Sequence, residues 1–270
     1  MNREKHTIVI KYGGNAMVNE SMKQSILGNV VDLHNAGYRI VIVHGGGPFI
    51  NAILDKVQIQ SEFIGGHRKT TPEAMKYIEM ALKGEVNTSL VGRMNALGAK
   101  AVGLSGKDGG MITTKKRFHY EGERPIDLGQ VADVASVQPE ILNDLLDKNY
   151  IPIVACVSAD KDGNSFNINA DMMAGAIAGA LNADYLVLTD VDGIRKDKDD
   201  PTSLIREVSI GQIPEMMNSV IVGGMIPKIE SCQIAIEAGS KRARIINGTK
   251  PGQLVEAINT TNQIGTTITK

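Results

Sequence analysis

Short apolar runs rich in β-branched residues recur along this chain, and its glycine pairs and triplet mostly lie just after such runs. Thr7–Tyr12 runs into Gly13-Gly14, and residues 39–43 run through His44 into Gly45-Gly46-Gly47. Runs without polar alternation read as strands buried on both faces. Between them lie stretches of helical periodicity. Glu20–Asn35 reads as an amphipathic helix stopping near Gly37, and a second helix is predicted over 48–56. Thr71-Pro72-Glu73 opens a third, with Thr as cap, Pro at the first helical position and an acid in the first turn. That helix continues to Leu97, where Gly98 stops it. Strand, helix, strand with short crossovers confines the chain to a mostly parallel sheet covered on both faces.

The middle of the sequence differs. Runs at 101–104, 111–115 and 127–137, broken by glycines, read as hairpins placed between the α/β parts. The βα units then resume with a strand over 150–158, a helix over 171–181 and a strand over 185–189. A charged loop at 195–200 reads as a solvated excursion where a nucleotide lid could sit. Helices near 210–217 and over 228–238, a strand over 243–246 and a last helix from about Pro251 complete the pattern. Without repeats, low-complexity tracts or long linkers, residues 1–270 read as a single domain.

Composition narrows the function classes. The formal net charge of −1 supplies no electrostatic footprint for nucleic acid or an anionic membrane. No apolar run approaches the ~18 residues of a membrane span. The opening "MNREKHTIVIKYGG" has charges but no apolar signal core and reads straight into a strand, so a cytoplasmic protein is expected. Cys156 and Cys232 lie in apolar settings without CxxC spacing and read as core thiols in a reducing compartment. No metal site is expected. The P-loop spacing GxxxxGK[ST] is absent, because "GLSGKDGG" places Asp108 after its lysine. The dinucleotide fingerprint is absent too, since "GGGPFI" has Ile50 where the last glycine belongs. GxSxG and HExxH do not occur, which leaves activated-serine and zinc hydrolases without support.

What remains is a set of strand ends. "IVIKYGG" puts Lys11 at the end of the first strand, and "IVIVHGGG" puts the amides of Gly46 and Gly47 at the end of the second, opening a helix. Such amides form an anion cradle. "NINAD" ends in Asp171 at a helix start, "VLTDVDG" places Asp190 and Asp192 after a strand, and "GGMIPK" places Lys228 at another helix start. Taken singly, Lys11 is an ordinary surface lysine and Asp171 an acid favoured by a helix dipole. In parallel α/β sheets, however, ligands bind outside the carboxyl ends of the strands, where these residues gather.

The motifs "KYGGNAM", "VHGGGP", "AVGLSGKDGG", "NINAD", "LTDVDGI", "GGMIPK" and "IGTTI", in this order, resemble the acetylglutamate kinase branch of the amino acid kinase family over essentially the whole chain. The resemblance implies a three-layer αβα sandwich around a mainly parallel sheet of about eight strands. It implies an N-terminal part (about 1–180) for N-acetyl-L-glutamate, a C-terminal part (about 181–270) for ATP with Mg²⁺, and a homodimer. By the same resemblance Lys11 and Lys228 stabilise the transition state and Asp171 organises them. Arg68, Asn167 and Asn169 would hold the substrate's α-carboxylate and acetylamino group, and the Gly46 and Gly47 amides the reacting carboxylate. Gly13, Gly14, Asp190, Asp192, Gly193 and Gly224 would hold the nucleotide.

The chemistry fits those residue types. Bringing a carboxylate to a triphosphate costs ~4 kcal/mol per unit charge pair at 4 Å and an effective dielectric near 20. A glutamate carboxylate, with pKa about 4.3, is ionised at pH 7 and needs no general base, so positive charge is the main requirement. The chain departs from the family at Lys69-Thr70-Thr71 after Arg68, at Cys156-Val157-Ser158, and at Asn247, where an aspartate is common. The first departure leaves open a kinase for an acylaminoadipate or a carrier-linked amino acid, and beyond these uridylate, aspartate or carbamate kinases. From other classes come a catalytically silent nucleotide- or amino-acid-sensing module and an NAD-dependent dehydrogenase. Retention of Lys11, Asp171 and Lys228 speaks against the first, and the missing fingerprint against the second. Arginine-inhibited members of the family carry an additional helix before the first strand. Only six residues precede Thr7 here, so a dimer without ring assembly, indifferent to arginine, is expected.

Overall fold

The computed structural model describes residues 6–197, 199–217, 219–259 and 263–270; the first five residues and Lys198 of the charged loop lie outside the described residues. In chain order the strands are β1 (Thr7–Tyr12), β2 (Arg39–His44), β3 (Glu62–Ile64), β4 (His67–Lys69), β5 (Ala101–Ser105), β6 (Ile112–Glu121) and β7 (Arg124–Val137). They continue with β8 (Ile151–Ala155), β9 (Val157–Ala159), β10 (Ser165–Ile168), β11 (Asp184–Thr189), β12 (Glu207–Ser209), β13 (Ala243–Asn247) and β14 (Thr266–Thr269). The α-helices are α1 (Glu20–Asn35), α2 (Gly47–Lys56), α3 (Pro72–Glu79), α4 (Thr88–Ala96), α5 (Glu140–Asp147), α6 (Ala170–Ala180), α7 (Ile213–Met216), α8 (Ile226–Glu237) and α9 (Gln253–Asn259).

Eight strands form the central sheet in the order β12-β14-β13-β11-β1-β2-β8-β5, and only the β13–β14 pair is antiparallel. Strand alternation sorts the core into two layers. Val9, Val41, Tyr185 and Val187 pack with α2, α3, α5, α6 and α8 on one face. Ile8, Ile10, Ile42 and Leu186 pack with α1, α4 and α9 on the other. This is the expected three-layer sandwich. Among the described residues, no helix is long and apolar enough to cross a membrane.

The caps follow the sequence. Asn19, Thr71 and Asn169 each accept a hydrogen bond from a first-turn amide of the helix they precede. The helix opened by Pro72 runs on to Ala96, but Met80–Asn87 between α3 and α4 is wound as a π-helix. Two expectations are corrected. Residues 101–104 are not a hairpin; β5 is the edge of the main sheet, parallel to β8. The run 150–158 breaks at Cys156, so that β8 stays in the main sheet while β9 joins β6, β7 and β10 in a small closed barrel. The break is anchored on both sides: the Cys156 amide donates to the His44 carbonyl, and its carbonyl accepts from Ile168. The β6–β7 hairpin matches the sequence reading in type and extends further than expected.

Candidate active site at the strand ends

Alternation along β1 turns Lys11, like Val9, toward the α6 and α8 layer. The side chain is almost wholly buried, at 8% exposure. A Cβ on Gly13 would lie 3.2 Å from Lys11 Nζ, so the glycine keeps room for the ammonium group. Asp171 enters from the opposite side as the second residue of α6. The Asn169 cap, accepting from its amide at 2.8 Å, fixes that first turn. Lys228 comes from the first turn of α8, which Gly223, at φ +54°, and Pro227 introduce.

The three meet. Lys11 Nζ lies 3.2 Å from Asp171 Oδ1, and Lys228 Nζ lies 3.7 Å from Asp171 Oδ2. Oδ1 is fully buried and makes no hydrogen bond, so the Lys11 ammonium is its electrostatic counterpart. Burial pulls the Lys228 pKa below the ordinary lysine value; Asp171 opposes that pull, and the Lys11 charge adds to it. One carboxylate therefore compensates two clustered ammonium groups and leaves the trio net positive.

A cleft of about 480 Å³ opens above them. Lys11, Lys228, Gly13, Gly14, Asp190 and Gly224 line it, together with an apolar wall of Leu188, Val191 and Met225. Thr189 and Thr249, which the sequence reading did not single out, add hydroxyls. Asp192 and Gly193 are not among its walls. Asp192 instead ties two strand-end loops together: Lys250 lies at 2.6 Å, the Asn247 side-chain amide at 2.9 Å and Arg195 at 3.3 Å. The Lys250 and Asn247 hydrogen bonds hold its carboxyl below the usual range. Gly193, at φ +140°, passes so close to β14 that a Cβ would lie 2.5 Å from Thr266 Oγ1.

The remaining predicted residues lie outside this cleft. Gly46 caps and Gly47 opens the ten-residue α2, and a Cβ on Gly46 would approach Leu82 to 2.7 Å. Beside them His44 is fully buried, with Nδ1 against the Gly45 carbonyl and Nε2 accepting from Asn87 in the π-helical segment. Arg68 sits in β4, stacked 4.6 Å over Phe63, and donates to Asn51 Oδ1 at 2.5 Å and to Ser61 Oγ. Burial lowers its pKa, against the charge of Asp55. Asn167 is half-buried in β10. Asn169, which the sequence reading assigned only to the substrate, has its side-chain oxygen engaged as the α6 cap. Cys156 and Cys232 are free and buried, and burial pushes the Cys156 thiol up to about 12. Among the described residues, no group of three or more His, Cys, Asp or Glu is placed to hold a metal ion.

A lysine pair around one acid, set at glycine turns on the ends of parallel strands, is joined by agreement over the chain as a whole. Residues 6–247 match the amino acid kinase family model. The chain belongs to the amino acid kinase family. It is 45% identical over 271 residues to an acetylglutamate kinase of Heliobacterium modesticaldum, covering 98% of this chain and 92% of that one. It is 44% identical to an acetylglutamate kinase of Moorella thermoacetica, covering 97% and 90%. In fold it is similar to a carbamate kinase of Giardia lamblia bound to AMP-PNP, with a TM-score of 0.71 at 19% identity over 99% of both chains.

Proposed function

We propose that this chain transfers the γ-phosphoryl group of ATP to the side-chain carboxylate of N-acetyl-L-glutamate, yielding N-acetyl-L-glutamyl 5-phosphate, a step of L-arginine biosynthesis. The observation that carries the reading is the convergence of Lys11 and Lys228 on Asp171 beneath the cleft, in a chain more than 40% identical to acetylglutamate kinases. An acceptor carboxylate is already ionised at neutral pH, so the barrier is the approach of anion to anion. Two ammonium groups in a buried setting offset that repulsion and stabilise the charge spread over the transferring group. Asp171 pairs with both lysines and opposes deprotonation of Lys228.

Gly13, Gly14 and Gly224 let the backbone approach the phosphates, and Asp190 is the carboxylate on the cleft wall. A single acid with substrate phosphates suits Mg²⁺, which usually keeps several waters and binds through few protein oxygens. When bound it would neutralise charge on the nucleotide. In this reading Asp192 and Gly193 shape the nucleotide side through the loops they join. The Gly46 and Gly47 amides receive the reacting carboxylate at the N-terminus of α2. Arg68 takes the α-carboxylate with the donors left over from Asn51 and Ser61, and Asn167 and Asn169 lie with the acylamino group. Residues of about 1–180 thus serve the acyl amino acid and those of about 181–270 the nucleotide, in a cytoplasmic homodimer.

The test is a substrate panel with hydroxylamine trapping of the acyl phosphate. N-acetyl-L-glutamate should give ATP-dependent hydroxamate, and acetylaminoadipate, aspartate, carbamate and UMP should give far less turnover. Preference for acetylaminoadipate would reassign the substrate, and no turnover with any acceptor would return the chain to a sensing module.

A further inference from the structure

Behind the lysine pair lies a buried polar link. Tyr185, 1% exposed, is the second residue of β11 and points into the layer of α6 and α8. Its hydroxyl lies 3.2 Å from the Asp171 carbonyl oxygen and 3.1 Å from Ser231 Oγ. Ser231, itself fully buried, donates its hydroxyl proton to the Lys228 carbonyl oxygen at 2.7 Å. Ser231 is therefore the acceptor from Tyr185, whose one proton is shared between Ser231 Oγ and the Asp171 carbonyl. The chain of contacts joins the backbones of the two residues whose side chains form the ion pair above.

The packing beneath this link has little tolerance across the helices. A Cβ on Gly175 would strike the Ser231 carbonyl oxygen, and one on Gly179 would strike Ala238. These two glycines set how closely α6 and α8 approach. Apolar packing of that kind is non-directional and leaves rotation and sliding of the first turns less defined. Directional hydrogen bonds at the N-terminal ends supply what the packing lacks, and in a dry interior they are costly to leave unmade. A tyrosine in a β-strand core otherwise needs only one partner for its hydroxyl. Here the hydroxyl reaches the first turn of α6 directly and Lys228 in the first turn of α8 through Ser231.

We propose that Tyr185 and Ser231 are positioning residues, whose hydrogen bonds hold the first turn of α8 against the first turn of α6 so that Lys228 meets Asp171 opposite Lys11. The inference rests on the reading that the lysine pair acts on the transferring phosphoryl group.

The experiment compares Tyr185→Phe, Ser231→Ala and their double variant with Ile177→Val. Ile177 is a fully buried apolar residue of α6 with no part in the link. Small displacements of reacting groups cost up to about 10²-fold, so kcat should fall about tenfold in each single variant, with both KM values within about twofold. The double variant should be no slower than the slower single one. The alkaline limb of kcat should move to lower pH, because Lys228 moves away from Asp171, the stronger of the two carboxylates that oppose its deprotonation, and keeps only Asp190 against the Lys11 charge. Ile177→Val should lower Tm with kcat and the limb in place. Should Ser231→Ala not fold, Tyr185→Phe decides alone, since it deletes one oxygen from a packed ring. Wild-type kcat and an unmoved limb in Tyr185→Phe, with only Tm lowered, would overturn the inference. Lys11→Ala and Lys228→Ala run in the same assay: if they turn over normally the reading of the site fails, and if they are slow the result bears on Tyr185 and Ser231 alone.

Discussion

The imidazole of His44 is fully buried at the end of β2, with Nδ1 2.9 Å from the Gly45 carbonyl oxygen and Nε2 2.9 Å from the Asn87 side-chain nitrogen. The carbonyl can only accept and the amide nitrogen can only donate, so the ring is neutral with its proton on Nδ1. Asn87 cannot turn over to suit a charged ring. Its nitrogen also donates to the Ile153 carbonyl at 2.8 Å, and its oxygen packs where a side chain on Gly103 would sit. Burial brings the His44 pKa down from 6.5 to about 4, with the Gly45 hydrogen bond opposing the shift and the Lys83 charge adding to it. Between those values the unfolded chain takes up a proton that the folded chain refuses, so stability rises with pH across the window. At 1.36 kcal/mol per pKa unit, acidification from pH 7 to 4 removes about 3 kcal/mol through this residue alone. That is a large part of a typical domain's stability. Urea unfolding at steps from pH 7 to 4.5 measures it, with His44→Gln as the comparison because glutamine keeps an acceptor for Asn87. His67, also lowered by burial, adds a pH slope of the same sign below its ordinary value, so both proteins are measured on a His67→Gln background. The carboxylates held low, Asp127, Asp160, Asp192 and Asp200, lose their contribution below the ordinary aspartate value, and Glu20, held low by Lys23, begins to lose its own only near the acid end of the range. Parallel pH slopes with and without the His44→Gln substitution between pH 6.5 and 4.5 would refute the argument.

Lys11→Ala and Lys228→Ala should each lower kcat by about 10²–10³-fold, the usual cost of removing one transition-state charge donor; a normal kcat in either folded variant removes that lysine from the mechanism. Because burial lowers the Lys228 pKa, kcat should fall on the alkaline side below the ordinary lysine range, and Lys228→Arg should abolish that limb. Arg68→Lys should raise KM for the acyl amino acid and leave KM for ATP near wild type, since lysine loses the planar fork that serves Asn51, Ser61 and a ligand together. A change confined to the ATP constant would reverse the two half-sites. Asn247 accepts from the Thr249 amide and hydroxyl at 3.0 and 2.6 Å while donating to Asp192. Asn247→Ala should therefore raise KM for ATP about tenfold, since three hydrogen bonds at about 1 kcal/mol each are lost and the loops retain the Lys250–Asp192 pair, so only part of that loss reaches the nucleotide; a rise only in the acyl-substrate constant would contradict this.

Local pattern was enough wherever a residue's neighbours in sequence decide its conformation. The spans of β1 and α1 follow from an unbroken apolar run and from an amphipathic stretch with a glycine stop. The reading failed where a distant residue makes the decision. Gly103 makes 101–104 look like a turn, yet β5 is regular; glycine stands there because the Asn87 side chain occupies the space of its Cβ. Residues 150–158 look like one strand, but His44 and Ile168 capture the two sides of the Cys156 peptide and divide it between two sheets.

For the site, strand-end logic identified Lys11, Asp171 and Lys228, because the carboxyl ends of parallel strands collect whatever polar groups follow them. Sequence alone therefore determined the fold class, the family and the identity of the charged trio. Tertiary structure alone decided that one carboxylate lies between the two lysines, that Arg68 already shares its donors with Asn51 and Ser61, and that Tyr185 and Ser231 support the trio from below. Hydrophobic periodicity is a local signal that survives in one dimension. Hydrogen bonds between residues dozens of positions apart leave no such trace, because a tyrosine in an apolar strand reads the same whether its hydroxyl ends in a void or holds two helices in register.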